Sequence, residues 1–176
     1  MQAASRDTSI FNRMIRAARL EDAVYEEVER DRSATMQAGL IVIGTSILAG
    51  IGSGIALGPG RLFAVILAGL VGWTFYAWIT YMVGVHLLAG PNTRADWGEL
   101  ARGLGFAVTP RLLLVLGVVP AMAGFIGLVV FIWVLITTVV ALRVALDFTT
   151  ARAIGTAILG WLAQAAIFAF AYTLGA

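Results

Sequence analysis

A charged side chain inside a long apolar run is the first place to look for chemistry in this chain. Arg111 lies in such a run, residues 104–146, about half way through the first of its two predicted spans, and directly follows Pro110. A guanidinium at membrane depth is costly unless it pairs with an anion, reaches water or extends to the headgroups. Arg111 is therefore predicted to be a structural anchor, a contact for lipid or a protein partner, or part of a polar transport cavity. Its nearest candidate acids are Asp147, Asp96 and Glu99.

The remaining reactive side chains do not assemble into a catalytic group. His86 is the only histidine, and a single imidazole without a second ligand makes a poor metal site. It is expected to hydrogen-bond the loop at residues 90–96. The chain has no cysteine, and no carboxylate falls inside an apolar run, so neither a triad nor a proton relay can be built. We expect no enzymatic activity, no metal and no cofactor.

The composition indicates an integral membrane protein. Of the 176 residues, 60% are hydrophobic and 12% are charged, and the mean hydropathy is +0.92. Soluble domains carry about 25% charged residues. The net charge of +2 comes from arginines dispersed along the chain, so no nucleic-acid partner is expected.

Five apolar stretches are long enough to cross a bilayer, which takes roughly 20 residues of helix. Their predicted limits are residues 35–57, 61–88, 100–119, 122–146 and 152 or 153–174. The fold class is therefore all-α, a polytopic membrane protein with five transmembrane helices. Span three is expected to be broken or kinked at Pro110, because proline removes a backbone donor.

An amphipathic, charged helix is predicted before the first span. Apolar residues recur near a period of 3.6 over residues 10–32, where arginines come first and acids follow. This helix is expected either to pack, solvated, beside span one or to lay its basic half on anionic headgroups. We divide the chain into a cytoplasmic helical region at residues 1–33 and a five-helix transmembrane domain at residues 34–176. A shorter helix is expected after residue 96, with Asp96 and Glu99 forming its capping box.

Small residues at helical spacing predict where helices approach closely. They recur every four residues in spans one and two, at Gly50, Gly54, Gly58, Ala64, Ala68 and Gly72. The two faces are expected to pack against each other within one chain, with a homodimer contact as the alternative.

The arginines predict the orientation in the membrane. If the N-terminus is cytoplasmic, every arginine except Arg61 and Arg111 falls in a cytoplasmic segment. Cytoplasmic loops carry the excess of basic residues in membrane proteins. The N-terminus is therefore predicted inside and the C-terminus outside.

Several short motifs resemble the Yip family, five-span integral membrane proteins first known as partners of Ypt/Rab GTPases in eukaryotic vesicle traffic. Span three carries Gly105 and Phe106 followed by Pro110, and span two carries His86 near its end. The other similarities are Ile132-Trp133, the sequence ALR at 141–143 and the sequence TARA at 150–153. The resemblance extends over nearly the whole chain. It implies a bacterial inner-membrane protein without catalytic residues.

The resemblance further implies a membrane organiser of the trafficking type or a scaffold that holds a partner. The acidic-aromatic-glycine-proline motif of eukaryotic members is absent, and a Rab-type GTPase is not expected in a bacterium. Expected partners are membrane lipids, together with another protein or a second copy of the chain. Two alternatives stay open: a small permease or lipid-moving protein that uses the broken third span, and an accessory subunit of a larger complex. The candidate contact residues are Gly105, Phe106, Pro110, Arg111, His86, Arg143 and Asp147.

Overall fold

The computed structural model describes residues 9–53, 58–90, 93 and 95–175, and every regular element in them is helical. The α-helices are α1 (Ile10–Ala18), α2 (Asp22–Arg30), α3 (Ala34–Gly52), α4 (Pro59–Met82), α5 (Trp97–Ala107), α6 (Pro120–Ala145) and α7 (Thr150–Gly175). A π-helical turn at Val83–Leu87 continues α4, and a 3₁₀ helix at Thr109–Val118 follows α5. We call the latter the 3₁₀ segment. The all-α prediction is confirmed.

Four helical stretches of the described residues are long and apolar enough to cross a membrane. They are Ala34–Gly52, Pro59–Leu87, Trp97–Val118 and Pro120–Ala145, and they correspond to predicted spans one to four. The chain is therefore an integral membrane protein. The predicted fifth span coincides with α7, a helix of 26 residues that is not one of these four.

Contacts between glycines and neighbouring helices give the direction of the spans. Gly105 lies against Ala38 of α3, and Gly117 lies against Gly52 further along both helices. The third span therefore runs parallel to α3. This arrangement requires the intervening α4 to return across the bundle, as an up-and-down helical topology does.

The last two long helices continue this alternation. The hydroxyl of Tyr76 donates to the carbonyl of Ala157 (3.3 Å), and the amide of Gln164 donates to the carbonyl of Gly72 (2.9 Å). Residue numbers rise along α7 as they fall along α4, so the two helices are antiparallel. α6 is likewise antiparallel to α5.

Most charges collect at one end of the bundle. This end is formed by the starts of α3, α5 and α7 and by the ends of α4 and α6, and it holds Arg102, Arg143 and Arg152. We call it the arginine end. Arg61 and Pro120 lie at the opposite end. Most of the fully buried apolar side chains also lie toward the arginine end, including Leu100, Phe106, Leu142, Leu146 and Ala153.

The N-terminal region contains two helices rather than the single helix predicted for residues 10–32. α1 and α2 form an antiparallel hairpin that turns at Arg19–Glu21, where Leu20 adopts a left-handed backbone with φ of 65°. Arg13 is 1% exposed and binds Glu27, Asp31 and Gln37 at 2.8, 2.8 and 2.9 Å. The period of 3.6 continued through the turn, so the apolar pattern alone did not reveal it.

The third span changes from an α-helix to a 3₁₀ helix beside Pro110, and the break or kink expected there stays a prediction. α5 ends at Ala107, and its capping box of Asp96 and Glu99 is confirmed. The amide of Arg111 then donates to the carbonyl of Val108 (2.9 Å), three residues back, as in a 3₁₀ helix. Proline disfavours the α conformation in the residue before it, so the change falls beside Pro110.

Candidate functional site

A central cavity is the main feature of the bundle away from the arginine end. α3, α4, α7, α6 and the 3₁₀ segment pack in this order around a ring, each against the next, and the ring closes between the 3₁₀ segment and α3. The cavity within it is partly open to the outside and measures about 900 Å³. Ligand pockets in proteins span roughly 300–1,000 Å³, so the space is of ligand size.

α5 fills the middle of the ring at the arginine end. It packs against α3, α4 and α6 together, and every residue from Leu100 to Ala107 is buried. The indole of Trp73 fixes it by donating to the carbonyl of Ala101 (2.9 Å). The 3₁₀ segment that follows packs mainly against α3 and α6 and is a part of the wall. The third span thus moves from the centre to the wall, and the cavity occupies the space that it leaves.

Among the residues that the structure describes, Arg111 is the only charged one that lines the cavity. Among the described residues it forms neither a hydrogen bond nor an ion pair, and the predicted partners Asp147, Asp96 and Glu99 are not bound to it. A guanidinium carries five N–H donors in a planar fork. Arg111 therefore presents an uncompensated positive charge to a mainly apolar space.

Several other polar groups around the cavity are already engaged. The hydroxyls of Ser46 and Ser53 donate to backbone carbonyls of their own helix, at 2.7 Å each. Tyr76 and Gln164 donate to carbonyls across α4 and α7, as described above. These bonds hold the wall together. Among the described lining residues, Arg111, the hydroxyl of Thr138 and the indole of Trp161 have no hydrogen-bond partner, and Arg111 is the charged one.

The chemistry that this lining can support is ion pairing. In the described part of the chain, the residues around the cavity include no carboxylate and no imidazole, and no group of three or more metal-binding side chains occurs. A guanidinium binds carboxylate and phosphate through two parallel hydrogen bonds. The apolar wall suits hydrocarbon. The arrangement therefore fits a ligand with an anionic head and an apolar body.

The motif residues of the third span lie next to one another but have different surroundings. Gly105 is in close contact with Ala38, where a Cβ atom would overlap the facing methyl group. Phe106 is fully buried in the apolar core, and Pro110 is buried at the start of the 3₁₀ segment. Arg111 alone among them lines the cavity. Gly105, Phe106 and Pro110 therefore position the residue that could bind.

The other predicted contact residues lie near the arginine end. His86 is exposed in the π-helical turn, and no hydrogen bond from it to the described part of the 90–96 loop is present. Arg143 forms an ion pair with Asp22 of α2. Asp147 is exposed and ends α6 with a left-handed φ of 50°. None of the three lines the cavity.

The small residues expected to join spans one and two are distributed differently. Gly50, Ala68 and Gly72 line the cavity, whereas Gly58 and Ala64 are exposed, and Gly54 lies outside the described residues. A close approach of α3 and α4 occurs instead at Gly69, where a Cβ atom would overlap the hydroxyl of Ser46. The spacing of small residues therefore coincides more with the cavity wall than with a helix contact.

Two buried arginines were not anticipated by the sequence analysis. Arg102 is 7% exposed and donates to the backbone carbonyls of Val28 (2.9 Å) and Glu29. Arg13 is enclosed between α2 and α3, as described above. A lone arginine among the apolar residues of α5 was the available signal for Arg102. The groups that bind Arg13 and Arg102 are distant from them in the sequence, so the sequence alone could not identify these pairs.

The hairpin α1–α2 is held by ionised carboxylates. Burial would raise the pKa of Glu27, but hydrogen bonds from Arg16 and Arg13 outweigh it and hold that pKa below its usual range. Hydrogen bonds from Ser33 and Arg13 lower the pKa of Asp31. Stability from a lowered carboxyl pKa is present above the ordinary value, about 4, and is lost as the pH falls through the lowered one. Burial and the charge of Glu99 raise the pKa of Glu29. The contribution of Glu29 to stability is therefore lost as the pH rises, in contrast to those of Glu27 and Asp31.

The chain was compared with models of protein families, with curated proteins and with solved structures. None of the three comparisons returned a match.

Proposed function

We propose that this protein is a non-enzymatic membrane protein that binds an anionic amphiphile inside its helical bundle. The ligand has a carboxylate or phosphate head that pairs with Arg111 and one or more hydrocarbon chains in the cavity. The single observation that carries the proposal is the uncompensated guanidinium facing a cavity of about 900 Å³. Among the functions open from the sequence, this arrangement favours the lipid-handling one.

A lone arginine at membrane depth costs from about 3 to more than 10 kcal/mol, depending on how far it can snorkel. An anionic ligand offsets this cost, and the apolar wall contributes about 25 cal/mol for each Å² of hydrocarbon surface that it covers. The free protein is destabilised at the same position that binds the ligand.

The proposal includes the membrane topology. We propose five crossings, with α7 as the fifth, the arginine end in the cytoplasm and the C-terminus outside a bacterial inner membrane. The third span runs parallel to α3, and α7 runs antiparallel to α4. Both directions are those that the third and fifth crossings of an alternating five-span bundle would have. The position of all arginines but Arg61 and Arg111 supports the orientation. Membership of the Yip family stays a proposal that rests on the quoted motifs.

The test is retention of lipid by the purified protein. Wild type, Arg111→Leu and Arg61→Leu are purified from membranes in a mild detergent, and the bound lipids are quantified by native mass spectrometry. Arg61 is a matched control because it is an exposed arginine outside the cavity. We expect about one anionic amphiphile per wild-type chain. Arg111→Leu should retain at least about tenfold less, since a charge-assisted bond is worth about 1.5–3 kcal/mol.

A stability measurement separates lost binding from lost folding. Arg111→Leu removes an unpaired charge, so its melting temperature without added lipid should equal or exceed that of wild type. A wild-type protein carrying only bulk lipids in membrane proportion would contradict the proposal, as would equal retention by Arg111→Leu. Transfer of labelled lipid between leaflets of proteoliposomes then tells a lipid mover from a lipid binder.

A partner-holding scaffold is the second candidate. The observation that favours it is the hairpin α1–α2, which Arg102 and the Arg143–Asp22 ion pair fix to the arginine end while the charged side of α2 stays exposed. A rigid polar surface of this kind suits a protein partner or a larger complex. A stoichiometric protein that co-purifies with wild type and is lost in Glu26→Arg would favour the scaffold. Purification of the chain with lipid alone would count against it.

A further inference from the structure

α1 turns part of its apolar surface away from the protein, unlike a helix on a water-soluble protein, while Ile10 and Met14 pack against the core. Its buried residues are Arg13 and Ala17, at 1% and 0% exposure, whereas Phe11 and Ile15 are 74% and 53% exposed. A helix on a protein in water turns its apolar stripe inward and its charges outward. α1 buries an arginine toward the protein and presents large apolar side chains to its surroundings.

The contacts of α1 place it beside membrane-spanning segments. It packs against α5 and the 3₁₀ segment, both within the third span. The indole of Trp133 donates to the carbonyl of Ala18 at the end of α1 (2.9 Å). Trp133 is in the middle of α6, and at 1.5 Å per residue it lies about 15 Å along that helix from Arg143. The apolar side of α1 is thus continuous with the lipid-facing surface of the bundle.

The second helix of the hairpin provides the contrast. The outward residues of α2 are polar or small, and they include Glu26 and Arg30, which pair with each other at 3.3 Å. Two helices of one hairpin therefore present opposite chemistry to the outside. A boundary between hydrocarbon and water that passes between α1 and α2 accounts for both.

We propose that α1 lies in the bilayer interface, with Phe11 and Ile15 among the acyl chains of the membrane that the spans cross. In-plane helices of this kind bury their apolar face about 5–10 Å into the boundary of headgroups and chains. The exposed Arg19 at the end of α1 extends to lipid phosphates. Arg13 faces the protein because Glu27 and Asp31 neutralise it there. This anchor is independent of the cavity and of what the cavity binds.

The absence of cysteine allows a direct test on the full-length protein. Phe11→Cys and Ile15→Cys, each labelled with an environment-sensitive fluorophore, are reconstituted in nanodiscs with and without brominated acyl chains. Glu26→Cys on α2 is the matched control. We expect the labels at 11 and 15 to lose intensity with brominated lipid and to resist aqueous iodide, whereas the label at 26 shows the reverse.

Each other outcome would overturn the proposal. Iodide quenching at 11 and 15 equal to that at 26 would place α1 in water. Protection from both quenchers would mean that a protein surface, such as a second copy of the chain, covers α1. Helical circular dichroism equal to wild type confirms that each variant is folded.

Discussion

Three arginines of one chain differ in how their charge is compensated. Arg13 is compensated by two carboxylates, Arg102 by two backbone carbonyls, and Arg111 by none of the described residues. Arg13 and Arg102, whose charges are compensated, hold the hairpin α1–α2 in place. The uncompensated one faces the cavity, where a ligand can complete it. We expect the presence or absence of a partner to separate structural arginines from a ligand-binding one better than position in a span does.

The first residue-scale prediction concerns Arg13→Ala. Removing the guanidinium leaves Glu27 and Asp31 with less compensation in a buried site, so we expect a loss of about 3–5 kcal/mol in the stability of the hairpin. Arg30→Ala is the control, because the Arg30 side chain is 78% exposed and its pair with Glu26 is worth less than about 1 kcal/mol. Hydrogen exchange over residues 10–33 in detergent measures both. Similar exchange in the two variants would show that the Arg13 pairs contribute nothing.

At the scale of elements, the third span contains two helices with different tasks. α5 fills the centre with mostly small and apolar residues around the buried Arg102, and the 3₁₀ segment is a part of the wall. The missing amide hydrogen of Pro110 is a local property, so an irregular backbone there could be expected from the sequence, and the winding changes beside it. The break or kink of the span stays a prediction. The lateral shift of the span was not predictable from it, since that shift depends on how α3 and α6 pack around the segment.

The element-scale prediction tests the contact between α3 and the 3₁₀ segment. A methyl group at Gly52 would overlap the backbone carbonyl of Leu114, so Gly52→Ala should destabilise the protein by about 1–3 kcal/mol. Gly44→Ala on the same helix has no atom within 4 Å of the added methyl group. It should stabilise the helix by up to about 1 kcal/mol. Melting temperatures in detergent distinguish the two, and a neutral Gly52→Ala would mean that the helices are further apart than described.

At the scale of the whole molecule, hydropathy alone predicted the spans from α3 to α6 to within a few residues. Length and apolarity are properties of each segment, so no tertiary information was needed. The cavity, in contrast, could not be predicted from the properties of single segments. Its wall uses residues such as Ser46, Trp73 and Gln164 from separate helices, and only the closure of the ring brings them around Arg111. Arg111 could be identified from the sequence as an unusual charge, but the cavity that it lines could not be predicted.

The whole-molecule prediction concerns the sides of the membrane. Single cysteines at Glu26, Arg61 and Asp147, all exposed, are labelled with an impermeant reagent in intact cells or inverted vesicles. We expect positions 26 and 147 to react only in inverted vesicles and position 61 only in cells. A cysteine appended after the last residue should behave like position 61 if α7 crosses. Labelling of the appended cysteine from the same side as position 147 would leave the chain with four crossings.

The docking of Arg102 on α2 has a consequence for the order in which the ribosome makes this protein. The arginine and the carbonyl of Val28 are 74 residues apart. At roughly 5–20 residues per second, the hairpin is complete about 4–15 s before its anchor is synthesised. During that interval, the buried contacts of Arg13 with Glu27 and Asp31 are already possible, because all three residues lie within the hairpin or at its end. The nascent hairpin can thus fold early and provide the surface on which the third span settles when it arrives.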